Sequence, residues 1–316
     1  MNGKPPLIIL SGPTAVGKTT LSVEFALAHD LEIISADSAQ VYRGMNIGTA
    51  KITEAEKRGV PHYLIDVCDR SEDYSAFRFS EMAGEAIAKI YDHGKIPFVV
   101  GGTGFYIQAL LKGVEFDDRG PDEKYRDSLE KIAEEKGCEF LHEMLRNVDE
   151  ESALKIPPQN IKRVIRALEY HHLTGRKISE HNENESSKEP VYNAAYFVLT
   201  DDRELIYSRI DSRVDEMIDS GLENEVRSIL ESGTSPDCVS MQAIGYKEMV
   251  PYIRGEISLD EAVYQIKLRT RHFAKRQLTW YKREPDVIMI DRREFGGDTK
   301  SMMEFMEEEC KKRGLF

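Results

Sequence analysis

A chain of 316 residues, 41% of them apolar, holds one large domain or two modest ones and enough apolar material for a core, which excludes wholesale disorder. Its longest apolar runs, Leu7–Leu10 and Pro97–Val100, are far too short to span a bilayer, and no secretory n-region and h-region open the chain, so the expected compartment is the cytoplasm, with no membrane partner. A formal charge of −13 excludes a protein that coats nucleic acid non-specifically, because the phosphate backbone would repel it, but leaves room for a local basic surface.

Strand and helix signals alternate from the start. Leu7–Ser11 reads as a short buried strand, followed by a glycine-rich turn and a helical stretch over Thr19–Ala28. Glu32–Ser35 is a second apolar run ending at Ala36-Asp37-Ser38, and His62–Val67 is the next candidate strand. Phe79–His93 predicts a helix, with Met82, Ala83, Ala86, Ile87 and Ile90 at helical spacing and Gly94 as its stop. Ile96–Val100 is then a strand running into Gly101-Gly102-Thr103-Gly104. Such alternation indicates a parallel, doubly wound α/β sheet.

Near Asp117 the pattern changes. Residues 122–180 are charged and helical in period, and 181–190 are polar and loop-like. Strand character returns at Ala194–Leu199 and at Val287–Ile290. The expected organisation is a sheet domain of residues 1–116 and 191–316 with an all-helical insertion over 117–190. Asp201–Glu204 resembles a capping box that opens a helix with Leu205, Ile206, Ile210, Val214 and Met217 largely on one face. Ser258–Glu261 is a second such signal, ahead of a long helix with Val263, Ile266, Thr270, Phe273 and Trp280 at three- and four-residue steps. The four cysteines, Cys68, Cys138, Cys238 and Cys310, are far apart with no C-x-x-C pair, so reduced thiols are expected and neither a zinc site nor a disulfide framework.

Gly12-Pro13-Thr14-Ala15-Val16-Gly17-Lys18-Thr19 fits the phosphate-loop pattern G-x-x-x-x-G-K-[ST] between a strand and a helix. The glycines let successive N–H groups turn inward toward phosphate oxygens, and the helix N-terminus adds positive potential. Lys18 contributes a full charge, and the Thr19 hydroxyl is placed to ligate Mg2+. The loop alone leaves open whether the phosphates belong to a nucleotide, ATP included, or to another pyrophosphate. Asp37 lies at the carboxyl end of the second strand, where doubly wound sheets place ligands. Position alone leaves it either a general base or water-mediated Mg2+ ligand, or the cap of a turn. Thr103 reaches the same rim, where turn chemistry alone would explain it.

From Ala262 to Arg283 there are seven basic residues, Lys267, Arg269, Arg271, Lys275, Arg276, Lys282 and Arg283, and no Asp or Glu. Tyr264, His272, Phe273, Trp280 and Tyr281 are interleaved. Lys267, Arg271 and Lys275 share a helix face, a stripe suited to phosphates with aromatics for stacking. Phe273 and Trp280 are expected in the core beside it.

The runs GPTAVGKT (12–19), ISADSAQVYRGMNIGTAK (34–51), VGGTGFY (100–106), RALE (166–169), AIGYKE (243–248) and RHFAKRQLTWYKR (271–283) together resemble the bacterial tRNA dimethylallyltransferases, the IPP transferase family. The resemblance spans about residues 7–291 in order and spacing; the segment beyond carries no usable motif, and none with the spacing of the zinc finger found in larger eukaryotic members. It implies a P-loop NTPase-like fold in which the loop holds the pyrophosphate of dimethylallyl diphosphate rather than ATP. It implies transfer of the dimethylallyl group to N6 of the adenosine immediately 3′ of the anticodon, with Asp37 as the base that accepts the N6 proton. Lys18, the loop amides and Mg2+ near Thr19 would stabilise the departing pyrophosphate. Arg213 matches an arginine that reaches the diphosphate. The target base would be flipped out into a pocket lined by Asp37, Ser38, Ala39, Gln40 and Thr103. Arg126 and the run Lys162, Arg163, Val164, Ile165, Arg166 match positions that contact the tRNA anticodon stem-loop, which would lie between insertion and core and also meet Lys275. The enzyme is expected to act as a monomer.

Three other classes fit parts of this pattern. A small-metabolite kinase fits the loop and the sheet but gives no reason for the basic helix or the insertion. An isopentenyltransferase acting on free adenine nucleotides has less need of an insertion that grips RNA. An RNA-binding NTPase switch would bind both ligands and transfer nothing.

Overall fold

The computed structural model describes residues 3–115, 120 and 122–316. The start of the helical insertion, expected at Asp117, lies outside the described residues. In chain order the first elements are β1 (Pro6–Ser11), α1 (Lys18–His29), β2 (Glu32–Ser35), α2 (Glu54–Lys57), β3 (His62–Tyr63), α3 (Ala76–Asp92), β4 (Pro97–Gly101) and α4 (Gly104–Lys112). Five helices follow: α5 (Glu123–Lys136), α6 (Cys138–Val148), α7 (Glu150–Lys155), α8 (Ile161–Thr174) and α9 (Ile178–Ser187). The chain then returns through β5 (Asn193–Thr200), α10 (Arg203–Asp219), α11 (Leu222–Glu231), α12 (Tyr246–Ile253), α13 (Leu259–Tyr281), β6 (Ile288–Asp291) and α14 (Thr299–Lys312). Two compact units result, Met1–Leu111 with Val191–Phe316, and Lys112–Pro190.

The first unit is built on a six-stranded sheet of order β3-β2-β4-β1-β5-β6, every pair parallel. Parallel strands buried on both faces read as continuous apolar runs, and Leu7–Leu10 of β1 are all inaccessible. Ile8, Leu10, Ile33, Phe98 and Phe197 pack on one face with Leu21 and Phe25 of α1, Ile206 and Ile210 of α10, and Met302 and Met306 of α14. Their strand neighbours Leu7, Ile9, Ile34, Val99 and Val198 point to the opposite face and are equally buried, so the sheet is doubly wound. The parallel register brings Ser11, Ser35, Gly101 and Thr200 to one rim, and the loops after β1, β2 and β4 leave from it side by side.

Several expectations need correction. The strand expected over His62–Val67 stops at Tyr63, because Leu64 and Asp66 adopt left-handed φ of 64° and 55°, which no strand tolerates. Val67 and Cys68 instead donate their N–H groups to Val41 O. The cap of α10 is Asp202, whose carboxylate accepts from the N–H groups of Glu204 and Leu205. Asp201 turns to Arg209 and Arg292, and Leu205 faces solvent while Ile206, Ile210 and Val214 form the buried face. Along α13 the buried stripe is Ala262, Ile266, Ala274, Gln277 and Tyr281, one position beyond the expected Phe273 and Trp280, which are only half-buried.

Among the described residues the second unit has helices and no strand. Its core joins Leu129, Leu141, Leu145, Ala153, Val164, Ile165, Ala167 and Leu168. Residues 181–187, expected as loop, continue α9. Only Ser179 of that helix is buried, so it has no apolar stripe to read. Its first turn is held by the buried Asp149 carboxylate, which accepts from Ser179 N at 3.0 Å and Ser179 Oγ at 2.7 Å.

Candidate functional site

The phosphate loop is shaped by close packing at its start. A Cβ on Gly12, where φ is 146°, would lie 2.4 Å from Leu199 O, so only glycine lets β1 turn there beside β5. Val16 is fully buried in the core and offers the loop only its backbone. Pro13 has no N–H, and its carbonyl accepts from Lys18 Nζ at 2.8 Å, as Gly12 O does at 3.0 Å. The N–H of Thr14 donates to Gln277 Oε1 at 3.0 Å. Among the described residues no acceptor is bonded to the amides of Ala15, at φ 60°, of Gly17, the N-cap of α1, or of Lys18 and Thr19 at the head of that helix, so these can meet an anion. The Thr19 side chain is exposed.

Lys18 carries the clearest electrostatic signature. Burial pushes its ammonium down to about 8, the Asp37 carboxylate pulls it back up, and the Arg213 guanidinium pushes it further down. Lys18 of α1 is thus within electrostatic reach both of Asp37, from the β2 turn, and of Arg213, from α10. Arg213 is half-buried and has no hydrogen bond or ion pair among the described residues. Burial lowers its pKa, opposed by Glu216 and Glu56.

Asp37 Oδ1 accepts from Ala39 N at 2.8 Å and Gln40 N at 3.2 Å, so the turn cap and the catalytic candidate are the same residue, and Oδ2 has no donor among the described residues. Ser38 is exposed. Gln40 donates from Nε2 to Thr49 O and Ala50 O, both at 3.3 Å. Thr103 N donates to Ala36 O at 3.2 Å, and Ala36 N to Val100 O at 2.8 Å, which stitches the Thr103 turn to the Asp37 turn. Lys18, Asp37 and Thr103 therefore stand on adjoining loops at the strand rim, with Arg213 of α10 within electrostatic reach of Lys18.

Sequence reasoning missed three residues here. Gln277 bridges the two turns: it accepts from Thr14 N and donates from Nε2 to Gly102 O at 2.8 Å. One turn along α13, the Tyr281 hydroxyl donates to Gly102 O at 3.0 Å and sits 2.5 Å from Ser11 Oγ. Arg292 brings Nη1 within 3.5 Å of Val16 O and pairs with the buried Asp201. The i, i+4 placement of Gln277 and Tyr281 is a sequence signal for a shared face, masked by the basic residues around it.

The basic helix divides into two parts. Lys267 pairs with Asp215 at 2.6 Å, Arg269 with Glu248 at 3.2 Å, and Arg271 with Asp211 through Nε at 2.9 Å. Those three are neutralised, so the expected stripe of Lys267, Arg271 and Lys275 keeps only Lys275. Exposed Lys275 has no ion pair among the described residues, and with His272, Arg276, Trp280, Arg283 and Gln108 it lines an open cavity of about 660 Å3.

In the helical unit, Glu169 is inaccessible and accepts from Arg126 Nε and Nη2 at 2.8 and 3.0 Å, from Arg166 Nη1 at 2.9 Å and from Asp122 N at 2.9 Å. Burial pushes its carboxyl up, but these donors outweigh it and hold the pKa below the ordinary value. Arg126 and Arg166 thus have an internal task. Val164 and Ile165, at 0% and 4% exposure, are core residues of that unit. Their side chains meet no RNA while α8 is folded, because the helical period that exposes Lys162 and Arg163 turns them inward.

Among the described residues no three His, Cys, Asp or Glu side chains cluster as metal ligands, and no helix is long and apolar enough to cross a membrane. A family model described as IPP transferase matches residues 40–284. The chain belongs to the IPP transferase family. Among IPP transferases, the tRNA dimethylallyltransferase of Lachnoclostridium phytofermentans is 52% identical over 302 residues, 96% of each chain. The crystal structure of the full-length tRNA isopentenylpyrophosphate transferase from Bacillus halodurans matches with a TM-score of 0.73 at 40% identity, covering 99% of this chain and 98% of that one. A eukaryotic dimethylallyltransferase acting on tRNA matches with a TM-score of 0.75 at 31% identity, over 91% of this chain and 74% of that one. The doubly wound sheet with its phosphate loop is the P-loop NTPase-like fold of these IPP transferases.

Proposed function

We propose that this IPP transferase moves a dimethylallyl group from dimethylallyl diphosphate to N6 of the adenosine immediately 3′ of a tRNA anticodon, releasing pyrophosphate. The observation that carries the reading is the Lys18 ammonium, folded back on the phosphate loop through Gly12 O and Pro13 O with no carboxylate ion-pair partner among the described residues, and within electrostatic reach of Asp37 and of Arg213. A diphosphate supplies the missing negative charge. The free amides of Ala15, Gly17, Lys18 and Thr19 take its oxygens, and Lys18 and Arg213 stabilise the charge that develops as the C–O bond breaks. On the other side, the free oxygen of Asp37 accepts the proton from N6 as that nitrogen attacks the allylic carbon.

Mg2+ fits the site, since the exposed Thr19 hydroxyl would give an oxygen ligand to an ion that keeps most of its waters, and this leaves the free Asp37 oxygen for the proton. When bound, it neutralises charge on the leaving pyrophosphate.

The acceptor base leaves its stack and meets Asp37, Ser38, Ala39, Gln40 and Thr103. Lys275, Lys162 and Arg163 take RNA phosphates, with Arg126 and Arg166 available only as far as Glu169 releases them. The enzyme works as a cytoplasmic monomer. Pyrophosphate release tests the reading against a kinase or an NTPase switch. It should require both the allylic diphosphate and an anticodon stem-loop, whereas release of phosphate from ATP alone would contradict it.

Two outcomes follow from the electrostatics. Lys18 must be charged to hold a diphosphate, so affinity should fall as pH rises through about 8. Just above that pH the complex should take up a proton, because the bound anion favours the ammonium form. Calorimetry in two buffers of different ionisation heat measures this, and equal heats would remove Lys18 from the contact. Lys275→Ala should weaken stem-loop binding and lower the slope of log K against log salt by about 0.7–0.9, as for one lost phosphate contact, with diphosphate affinity unchanged.

A further inference from the structure

The acceptor side of the site borders a loop, residues 43–51, whose one fully buried apolar side chain is Met45. Its ends are tied by Arg70, which donates to Arg43 O, and by Lys51, which donates to Tyr42 O, and its middle is held by one side chain from α11. Glu225, half-buried on α11, accepts from three successive backbone N–H groups: Asn46 at 2.9 Å, Ile47 at 2.9 Å and Gly48 at 3.2 Å. Its Oε1 also accepts from the Tyr246 hydroxyl at 2.6 Å. Three consecutive amides converging on one carboxylate form a backbone nest, an arrangement that favours negative charge. The inaccessible ring of Tyr246 lies directly beneath the loop, where a Cβ on Gly48 would come 2.5 Å from Cε2.

From this anchor the bonds run to the reacting residues. The carbonyls of Thr49 and Ala50, next in the loop, are the acceptors for Gln40 Nε2. Gln40 N in turn donates to the Asp37 carboxylate. The path from Glu225 to Asp37 thus crosses the nest, two carbonyls and one amide side chain, and it does not touch the phosphate loop.

We propose that Glu225 is a positioning residue for the acceptor: through the 46–48 nest it sets where Gln40 and Asp37 stand relative to the adenine, while diphosphate binding is independent of it. The inference rests on the transfer reaction proposed above. Displacing a reacting group by about 1 Å costs on the order of 100-fold in rate. Glu225→Ala should therefore lower kcat by roughly 10- to 100-fold and raise KM for the stem-loop.

KM for dimethylallyl diphosphate should stay within about twofold, a split that general loss of structure would not give. Glu225→Gln keeps one acceptor oxygen for the amides and should recover part of the loss. Tyr246→Phe, which deletes one bond to Glu225 and keeps the ring under Gly48, should shift the same two constants by a few-fold. If Glu225→Ala does not fold, these two variants decide. The proposal is overturned if the folded variants keep kcat and the stem-loop KM within about twofold of the parent, or if diphosphate KM rises in parallel. An unmodified protein that transfers nothing to the stem-loop would instead refute the reaction itself, so the two failures are separate results.

Discussion

Asp37→Asn should fold as the parent does and lose roughly 10²–10⁴-fold in turnover, the range for a general base. Asparagine keeps the acceptor that Ala39 N and Gln40 N require, at 2.8 and 3.2 Å, so the turn survives and only basicity is lost. Asp37→Ala removes both and should fall at least as far. The comparison separates the two roles that position alone could not. If the cap were the whole task, the Asn variant would be near normal and the Ala variant poor. Single-turnover rates with bound RNA measure the step itself, and an Asn variant within a few-fold of the parent would take Asp37 out of proton transfer.

Arg213→Ala should slow transfer by about 10²–10³-fold, the loss seen when one preorganised group facing developing negative charge is removed. Its effect on folding should be small, because Arg213 has no ion pair or hydrogen bond to lose among the described residues and is held in a half-buried position that disfavours its charge. A second readout comes with it. Arg213 helps to depress Lys18, so the pH at which diphosphate affinity falls should move upward in the variant. A rate within a few-fold of the parent, with that midpoint still near 8, would return Arg213 to the status of an ordinary helix arginine.

The elements legible in the sequence were those whose signals are local. The runs LIIL and EIIS sit in a parallel sheet buried on both faces, and such strands announce themselves by composition. The phosphate loop is a contiguous pattern. The errors arose where tertiary partners decide. Leu64 and Asp66 take left-handed φ because Val67 and Cys68 bond to Val41, far back in the chain. α9 forms on the Asp149 hub without an apolar stripe. Along α13, packing against the rim selected small Ala274 and polar Gln277 for the buried stripe, where hydrophobicity had pointed to Phe273 and Trp280.

The candidate site was partly legible for the same reason. Lys18 and Asp37 follow strands whose ends can be read, whereas Arg213 sits on a helix whose facing is set only by packing, and it entered through the family resemblance. Gln277 could not be recognised as a bridge until the loops after β1 and β4 were seen on either side of it. In the helical unit, charge suggested RNA contacts for the whole run 162–166, but the helical period assigns Val164 and Ile165 to the core. Arg166 meets the buried Glu169 at i, i+3 within RALE, a local pair open to reading, whereas Arg126 is drawn to the same carboxylate from a separate helix that no local pattern links to it.

Weighing the RNA tests the central claim most directly. The protein is incubated with Mg2+, dimethylallyl diphosphate and an anticodon stem-loop that carries adenosine 3′ of the anticodon, and the RNA is examined by mass spectrometry. The account predicts a gain of one dimethylallyl group, absent when that adenosine is replaced and lost with Asp37→Asn. An RNA of unchanged mass, with AMP prenylated instead, would contradict it and make the acceptor a free nucleotide.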